Sequence, residues 1–422
     1  MIFRDAAGAA VTIKDSSSRS IWVGAPSRSV RRGVAGELWR TGRVGTGRTG
    51  ERTYWSPHRA WADATEISLT YGGNLPPGVT MPLAASITVG GDRHVLTWGG
   101  DTETVLNGDT KAVSDPAPLT VHPGDTIEVL TYYGARSDGG QHPGAPGAWY
   151  STEILQGNRV ADGSPSQVTS ERYDGYSGYR PAMPHAITGM TASGVESWVL
   201  LGDSITESGA PNFSSVGKVS TAQLTWSHRA ILGPVNNTAV WGSSYAPSPT
   251  GTWATIPDLA QFTHALVAWG YNDLDQAWQV SSRDVAHVQR NAIAAWSWIG
   301  AEVPRVWQAT VSPSTDSVDG WATIDGQTPR PALPYRLAFN AWLRDGAPLN
   351  DGSPAEVGDA SAVRAGESGH PLAGVIDQAA RVESAPGSGI FRVDHGPLTA
   401  DGGHPNAMGH DLMSEALAAI QP

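Results

Sequence analysis

At 422 residues the chain has room for two domains of ordinary size, and 40% hydrophobic content supports real cores. A net charge of −12 argues against nucleic acid as a partner, since phosphate binding needs a basic face, and the lack of Lys/Arg runs argues against an anionic membrane surface. With no cysteine, disulfides, thiolate metal sites and a cysteine nucleophile are excluded.

The opening Met1-Ile2-Phe3-Arg4-Asp5 lacks the basic start and apolar core of a signal peptide. No apolar run approaches the ~18 residues of a membrane span. The expectation is a chain that works in the cytoplasm, or outside a cell after lysis or as part of a phage particle. Residues 1–50 are rich in Gly, Ser and Arg without a sustained period, and read as an N-terminal arm or irregular strands that dock to a partner, in an oligomer or virion, or cover the next domain.

From 51 to 157 the pattern is β. Ile67-Ser68-Leu69-Thr70-Tyr71, Ile87-Thr88-Val89, Leu119-Thr120-Val121 and Ile127-Glu128-Val129 alternate, with turn clusters such as His122-Pro123-Gly124-Asp125 between them. Short alternating strands separated by Gly, Pro, Asn and Asp predict an antiparallel β-sandwich, jelly-roll-like, with one face packed and one face wet. Residues 158–194, rich in Gly, Ser, Pro and Tyr, read as a connector.

From 195 to 422 strand and helix alternate, which predicts a parallel sheet covered by helices. Strand candidates are Trp198–Leu201, Val235–Val240, Ala265–Trp269, Arg305–Val311 and Gly374–Ile376. One helix starts near Ser282 and carries Val285, Val288, Ala292, Trp296 and Ile299 on a stripe. Another aligns Tyr335, Ala338, Phe339 and Trp342, and a last one succeeds Pro405 and buries Leu412, Met413, Ala416, Leu417 and Ile420.

The residues just past each strand carry the chemistry. After the first comes Gly202-Asp203-Ser204, after the second Trp241-Gly242-Ser243-Ser244, after the third Gly270-Tyr271-Asn272-Asp273. Before the final helix lies Asp401-Gly402-Gly403-His404-Pro405. In a parallel sheet these segments converge on the carboxyl edge, where such sheets hold their ligands. The set suits acyl transfer: Ser204 attacks a carbonyl, His404 takes its proton, and Asp401 orients the imidazole. The amides of Ser204 and Gly242 and the side chain of Asn272 are the candidate oxyanion donors.

These four blocks, in this order, resemble those of the SGNH (GDSL-like) hydrolases over about 195–422. Thr310-Val311-Ser312-Pro313, Asn340-Ala341-Trp342-Leu343-Arg344 and His404-Pro405-Asn406-Ala407-Met408-Gly409-His410 add to the likeness. The resemblance implies a flavodoxin-like α/β/α sandwich of five parallel strands. It also implies a serine esterase that needs no metal or organic cofactor and, in many relatives, deacetylates carbohydrate. Trp241 departs from the smaller residue usual beside the second-block glycine.

The abundance of tryptophan, 17 residues, fits a sugar-binding surface, and Trp241, Tyr245, Trp269 and Trp321 are the aromatics expected to wall the crevice. The leading reading is a carbohydrate O-acetyl esterase. A lipid or thioester hydrolase on the same triad is the second, and a phage tail or surface glycan-binding protein the third. Asp394-His395 and His410 offer rival histidines. The spacing of His404 and His410 does not suit zinc. The G-x-S-x-G elbow of α/β-hydrolases is absent, since Thr206 stands at its last position.

Overall fold

A computed structural model describes residues 49–72, 75–108, 110–144, 184–192, 194–207, 226–231, 233–240, 242–245, 259–275 and 284–420, together with 13–14, 20–21, 29–36, 44–45, 159–162, 168 and 176–177. Its N-terminal half contains β1 (Ser29–Gly33), β2 (Arg52–Ala60), β3 (Ala64–Gly72), β4 (Thr80–Val89), β5 (Thr126–Tyr133) and β6 (Ala186–Ala192). Strand β5 pairs antiparallel with both β2 and β4, and Thr104–Asn107 and Arg159–Asp162 extend that sheet. A second antiparallel sheet runs β3-β6-β1, with Lys111–Val113 and Ala117–Val121 also paired to β3. Tyr54, Leu69, Tyr71, Leu83, Val129 and Ile187, drawn from both sheets, share one buried core.

Two stretches differ from the sequence reading. Strand β1 falls inside the expected arm and forms the edge of the second sheet. Its Ser29-Val30-Arg31-Arg32 hides the alternation because edge strands carry charge, and Arg31 donates to the Glu66 carbonyl (3.0 Å) and Ser68 hydroxyl (3.2 Å) of β3. The expected connector supplies Arg159–Asp162 to one sheet and β6 to the other. It also sends Val168 against Ala84, Leu130 and Tyr132, so the outer face of the larger sheet is not wet throughout.

The C-terminal half contains β7 (Trp198–Gly202), β8 (Val235–Asn237), β9 (His264–Ala268) and β10 (Arg305–Ala309), then an antiparallel hairpin of β11 (Thr315–Ser317) and β12 (Gln327–Pro329), then β13 (Gly374–Ile376). The sheet order is β8-β7-β9-β10-β13, and every pairing is parallel. Chain order therefore reverses beside β7, and open α/β sheets hold their ligands at the strand carboxyl ends of such a switch point.

Helices of this half are α1 (Ser204–Glu207), α2 (Trp226–Ala230), α3 (Tyr271–Asp275), α4 (Val285–Gly300), α5 (Leu333–Arg344), α6 (Ala379–Val382) and α7 (Ala407–Ala418). Successive residues of β7 point to opposite faces of the sheet. Val199 and Leu201 meet the apolar stripes of α4 and α5, including Val288, Trp296, Phe339 and Trp342. Trp198 and Leu200 meet α2, α6 and α7 through Trp226, Val382, Met413 and Leu417. Capping sets where the helices begin. Asp284 accepts the His287 amide at 2.8 Å, so α4 starts just past the Ser282 expected from sequence, and Asn406 accepts the Gly409 amide at 3.1 Å.

Ile187 tests whether the 158–194 stretch belongs to the N-terminal core, because its side chain is 2% exposed there. Ile187→Ala should cost about 2–5 kcal/mol in a urea unfolding curve, as loss of a buried aliphatic side chain does. A cost within ~0.5 kcal/mol, ordinary for a surface position, would return the stretch to the status of a linker.

Candidate active site

Ser204 lies two residues past β7 and opens α1, with 4% of its surface exposed. Its Oγ lies 2.8 Å from His404 Nε2, and His404 Nδ1 lies 2.7 Å from Asp401 Oδ2. A carboxylate only accepts, so Nδ1 carries the ring proton and Nε2 is left as the acceptor for the serine hydroxyl. That is the tautomer a general base requires.

Asp401 is held by more than the histidine ring. Its Oδ1 accepts the amides of Gly403 (2.9 Å) and His404 (2.8 Å) and the Thr399 hydroxyl (3.2 Å). The same Thr399 hydroxyl reaches the His404 carbonyl at 2.9 Å. Burial works against charge on Asp401, yet the His404 ring and the two amides outweigh it and keep the carboxyl well below the usual carboxylate range. The loop thus presents an ionised carboxylate to the imidazole.

Block one meets the other strand-end segments through Ser243. Its hydroxyl donates to the Gly202 carbonyl (2.8 Å) and accepts the Trp269 indole N–H (3.0 Å), while its own carbonyl accepts the Asn272 side-chain amide (2.9 Å). Val240 N also donates to the Gly202 carbonyl, at 2.9 Å. Asp273 then receives the Tyr245 amide on both carboxylate oxygens, at 3.2 and 3.1 Å. These bonds hold the turn after β8 that contains Gly242, with φ +71, a left-handed conformation that glycine adopts without strain. One hydrogen of the Asn272 amide is spent on Ser243, which leaves the other for a ligand.

Of the four expected wall aromatics, two are buried in the core. Tyr245 is 0% and Trp269 1% exposed. Tyr245 packs edge-on against Trp269 and Phe339, with ring centroids 5.9 and 6.3 Å away, and the Trp269 indole N–H is tied to Ser243. So buried, they present no surface to a ligand. Trp241 lies outside the described residues. Trp321 is half-buried, with a left-handed backbone (φ +62), and stands against Gly402.

Of the rival histidines, His395 lies 3.7 Å from Asp394 and is 41% exposed. Asp394 is paired with Arg392, and His410 receives the Trp226 amide on Nδ1 at 3.2 Å. Asn340 serves the fold, with its side chain exchanging two 2.8 Å bonds with the backbone of Val311. Among the described residues no group of three His, Asp or Glu side chains is placed to hold a metal ion, and no helix is long and apolar enough to cross a membrane. Sequence reasoning missed Ser243, Thr399 and the β11–β12 hairpin. The hairpin had a local signal in its Asp319-Gly320 and Asp325-Gly326 turns.

No protein-family model matches the chain, and no curated protein matches it. Solved structures similar to it are GDSL-like lipases and acetylxylan esterases, of the SGNH group that the four blocks resemble. An acetylxylan esterase of Geobacillus stearothermophilus is 13% identical with a TM-score of 0.33, over 53% of this chain and 93% of that one. A GDSL-like lipase of Bacteroides thetaiotaomicron is 12% identical with a TM-score of 0.32, over 53% and 86%. At that distance these likenesses assign no residue a role, and the roles rest on the hydrogen bonds.

Asp203 is the anomaly of the site. Its Oδ1 accepts the Ile205 amide at 3.0 Å and braces the turn, but Oδ2 has no hydrogen-bond partner among the described residues and the residue is 0% exposed. Burial pushes its carboxyl from 3.8 up to about 7, against the pull of the Ile205 amide and His404, and Asp273 adds to the push. The folded state therefore binds more protons than the unfolded chain between these values, and stability falls as pH rises through that window. Asp203→Asn should gain stability relative to wild type as pH rises from about 4 to about 7, in melting temperatures taken across the range. A difference that stays constant with pH would show that Asp203 ionises normally.

Proposed function

We propose that this chain is a serine esterase, with a flavodoxin-like α/β/α catalytic half, that removes O-acetyl groups from a carbohydrate through an acyl-serine intermediate. The single observation that carries the proposal is the Ser204–His404–Asp401 chain of hydrogen bonds, at 2.8 and 2.7 Å. In the first half-reaction Ser204 Oγ attacks the ester carbonyl carbon while His404 Nε2 takes its proton. Asp401 stabilises the imidazolium. The tetrahedral oxyanion receives the amides of Ser204 and Gly242 and the remaining Asn272 N–H. His404 then returns the proton to the departing alcohol. In the second half-reaction water, deprotonated by the same nitrogen, attacks the acyl carbonyl, and as the C–Oγ bond breaks and the acid leaves, His404 passes that proton to Ser204 Oγ. Each oxyanion donor of this kind supplies about 3 kcal/mol of transition-state stabilisation.

The carbohydrate half of the proposal is supported by Trp321, a partly exposed tryptophan beside the Asp401–His404 loop. Burial of Tyr245 and Trp269 removes those two aromatics from that role.

The test is a substrate panel run on wild type and Ser204→Ala: nitrophenyl esters of two to eight acyl carbons and longer, acetylated xylan and acetylated cell-wall glycan. The proposal expects release of acetate from at least one polysaccharide, preference for the two-carbon ester, and loss of roughly 10³-fold or more in kcat for Ser204→Ala. Preference for long chains would make it a lipid or thioester hydrolase. Undiminished hydrolysis by Ser204→Ala removes the mechanism, and glycan binding without hydrolysis favours an adhesive role.

A further inference from the structure

The β11–β12 hairpin grips the loop that carries Asp401 and His404. Thr315 N donates to the Gly402 carbonyl at 2.9 Å. Gly402 has φ +79, and a Cβ there would lie 1.7 Å from the Thr315 carbonyl oxygen and 2.8 Å from the Trp321 ring. Only glycine permits so close an approach. Gly403 is confined as well, since a Cβ on it would lie 2.4 Å from the Tyr271 hydroxyl.

Arg330, the first residue past β12, joins these pieces. Its Nη2 donates to the Asp401 main-chain carbonyl at 2.6 Å, its Nε to Asp316 at 3.0 Å, and its Nη1 to the Ser314 hydroxyl at 3.4 Å. Ser314 Oγ is in turn 2.9 Å from the Tyr271 hydroxyl, on the third-block helix α3. The Asp316 side chain is 70% exposed, so that ion pair by itself stabilises little. What distinguishes Arg330 is the bond to the backbone of the very residue that orients His404. A planar guanidinium meets these acceptors in a fixed fork, and a lysine ammonium does not.

We propose that Arg330 is a positioning residue for the Asp401–His404 pair: it fixes the main chain at Asp401 so that the imidazole stays on Ser204. It touches no reacting atom and acts through the loop. The inference rests on the triad reading above, and the experiment separates the two.

Arg330→Ala and Arg330→Lys are compared with wild type and Ser204→Ala on nitrophenyl acetate, with kcat, KM and the full pH profile. A misplacement of about 1 Å in such a site costs on the order of 10²-fold. Arg330→Ala should lose ~10- to 100-fold in kcat with little change in KM. Its pH–rate profile should no longer superimpose on that of wild type, because the Asp401–His404 pair is no longer held in register with Ser204. Arg330→Lys, which keeps the charge, should recover only part of the loss, and it carries the test if the alanine variant does not fold. Unchanged kcat in both variants overturns the inference. So does a loss of kcat that tracks lost thermal stability while the pH profile stays superimposable, since that is a scaffold effect. Full activity in Ser204→Ala defeats the triad reading itself, whereas an inactive Ser204→Ala with unaltered Arg330 variants defeats this inference alone.

Discussion

The hydrogen bond from Ser204 to His404 joins residues 200 positions apart, and the C-terminal half is arranged so that it forms. Nothing local brings these side chains together. Strand β7 delivers Ser204 to the carboxyl edge of the sheet, and α7, packed on one face of that sheet, sets where the preceding Asp401–His404 loop lies. The reversal of strand order beside β7 puts both at the edge where such sheets hold their ligands. A hydroxyl and a ring nitrogen must meet within a few tenths of an ångström, so the rest of the half can be read as the tolerance on one distance.

That tolerance is set by backbone contacts more than by side-chain packing. Ser243 draws the second and third strand-end segments onto the end of β7. Thr399, Thr315 and Arg330 hold the loop from its other sides. The same neighbourhood concentrates local costs: a buried carboxyl oxygen on Asp203 with no partner among the described residues, a left-handed Trp321 and a Gly402 pressed against Thr315. Local costs of this kind persist only where the surroundings over-determine them, and they gather at functional sites.

The sequence showed the four strand-end blocks because each is short, local and marked by the switch from an apolar strand to glycine and polar residues. The amphipathic helices showed for the same reason, since the stripe on α4 is written in consecutive turns. The features it hid are long-range. Strand β1 carries charge at a sheet edge and β6 is interrupted by Gly189, so an edge strand read as an arm and a paired strand as a connector. Tryptophan content likewise does not tell core from crevice. Trp226, Trp269, Trp296 and Trp342 are all fully buried, leaving Trp321 as the described member of the four expected wall aromatics with surface to offer. Ser243 and Arg330 act through backbone carbonyls far away in the chain, and no motif records such a partner.

The central claim is that Ser204 is the nucleophile, activated by His404. Its most direct test is covalent labelling with a phosphonate ester that mimics the tetrahedral intermediate, with intact-mass measurement and peptide mapping of the product. The account predicts one adduct per chain, on the peptide containing Ser204, with labelling strongly slowed in His404→Ala. An adduct on another serine, or equal labelling in Ser204→Ala, would contradict it.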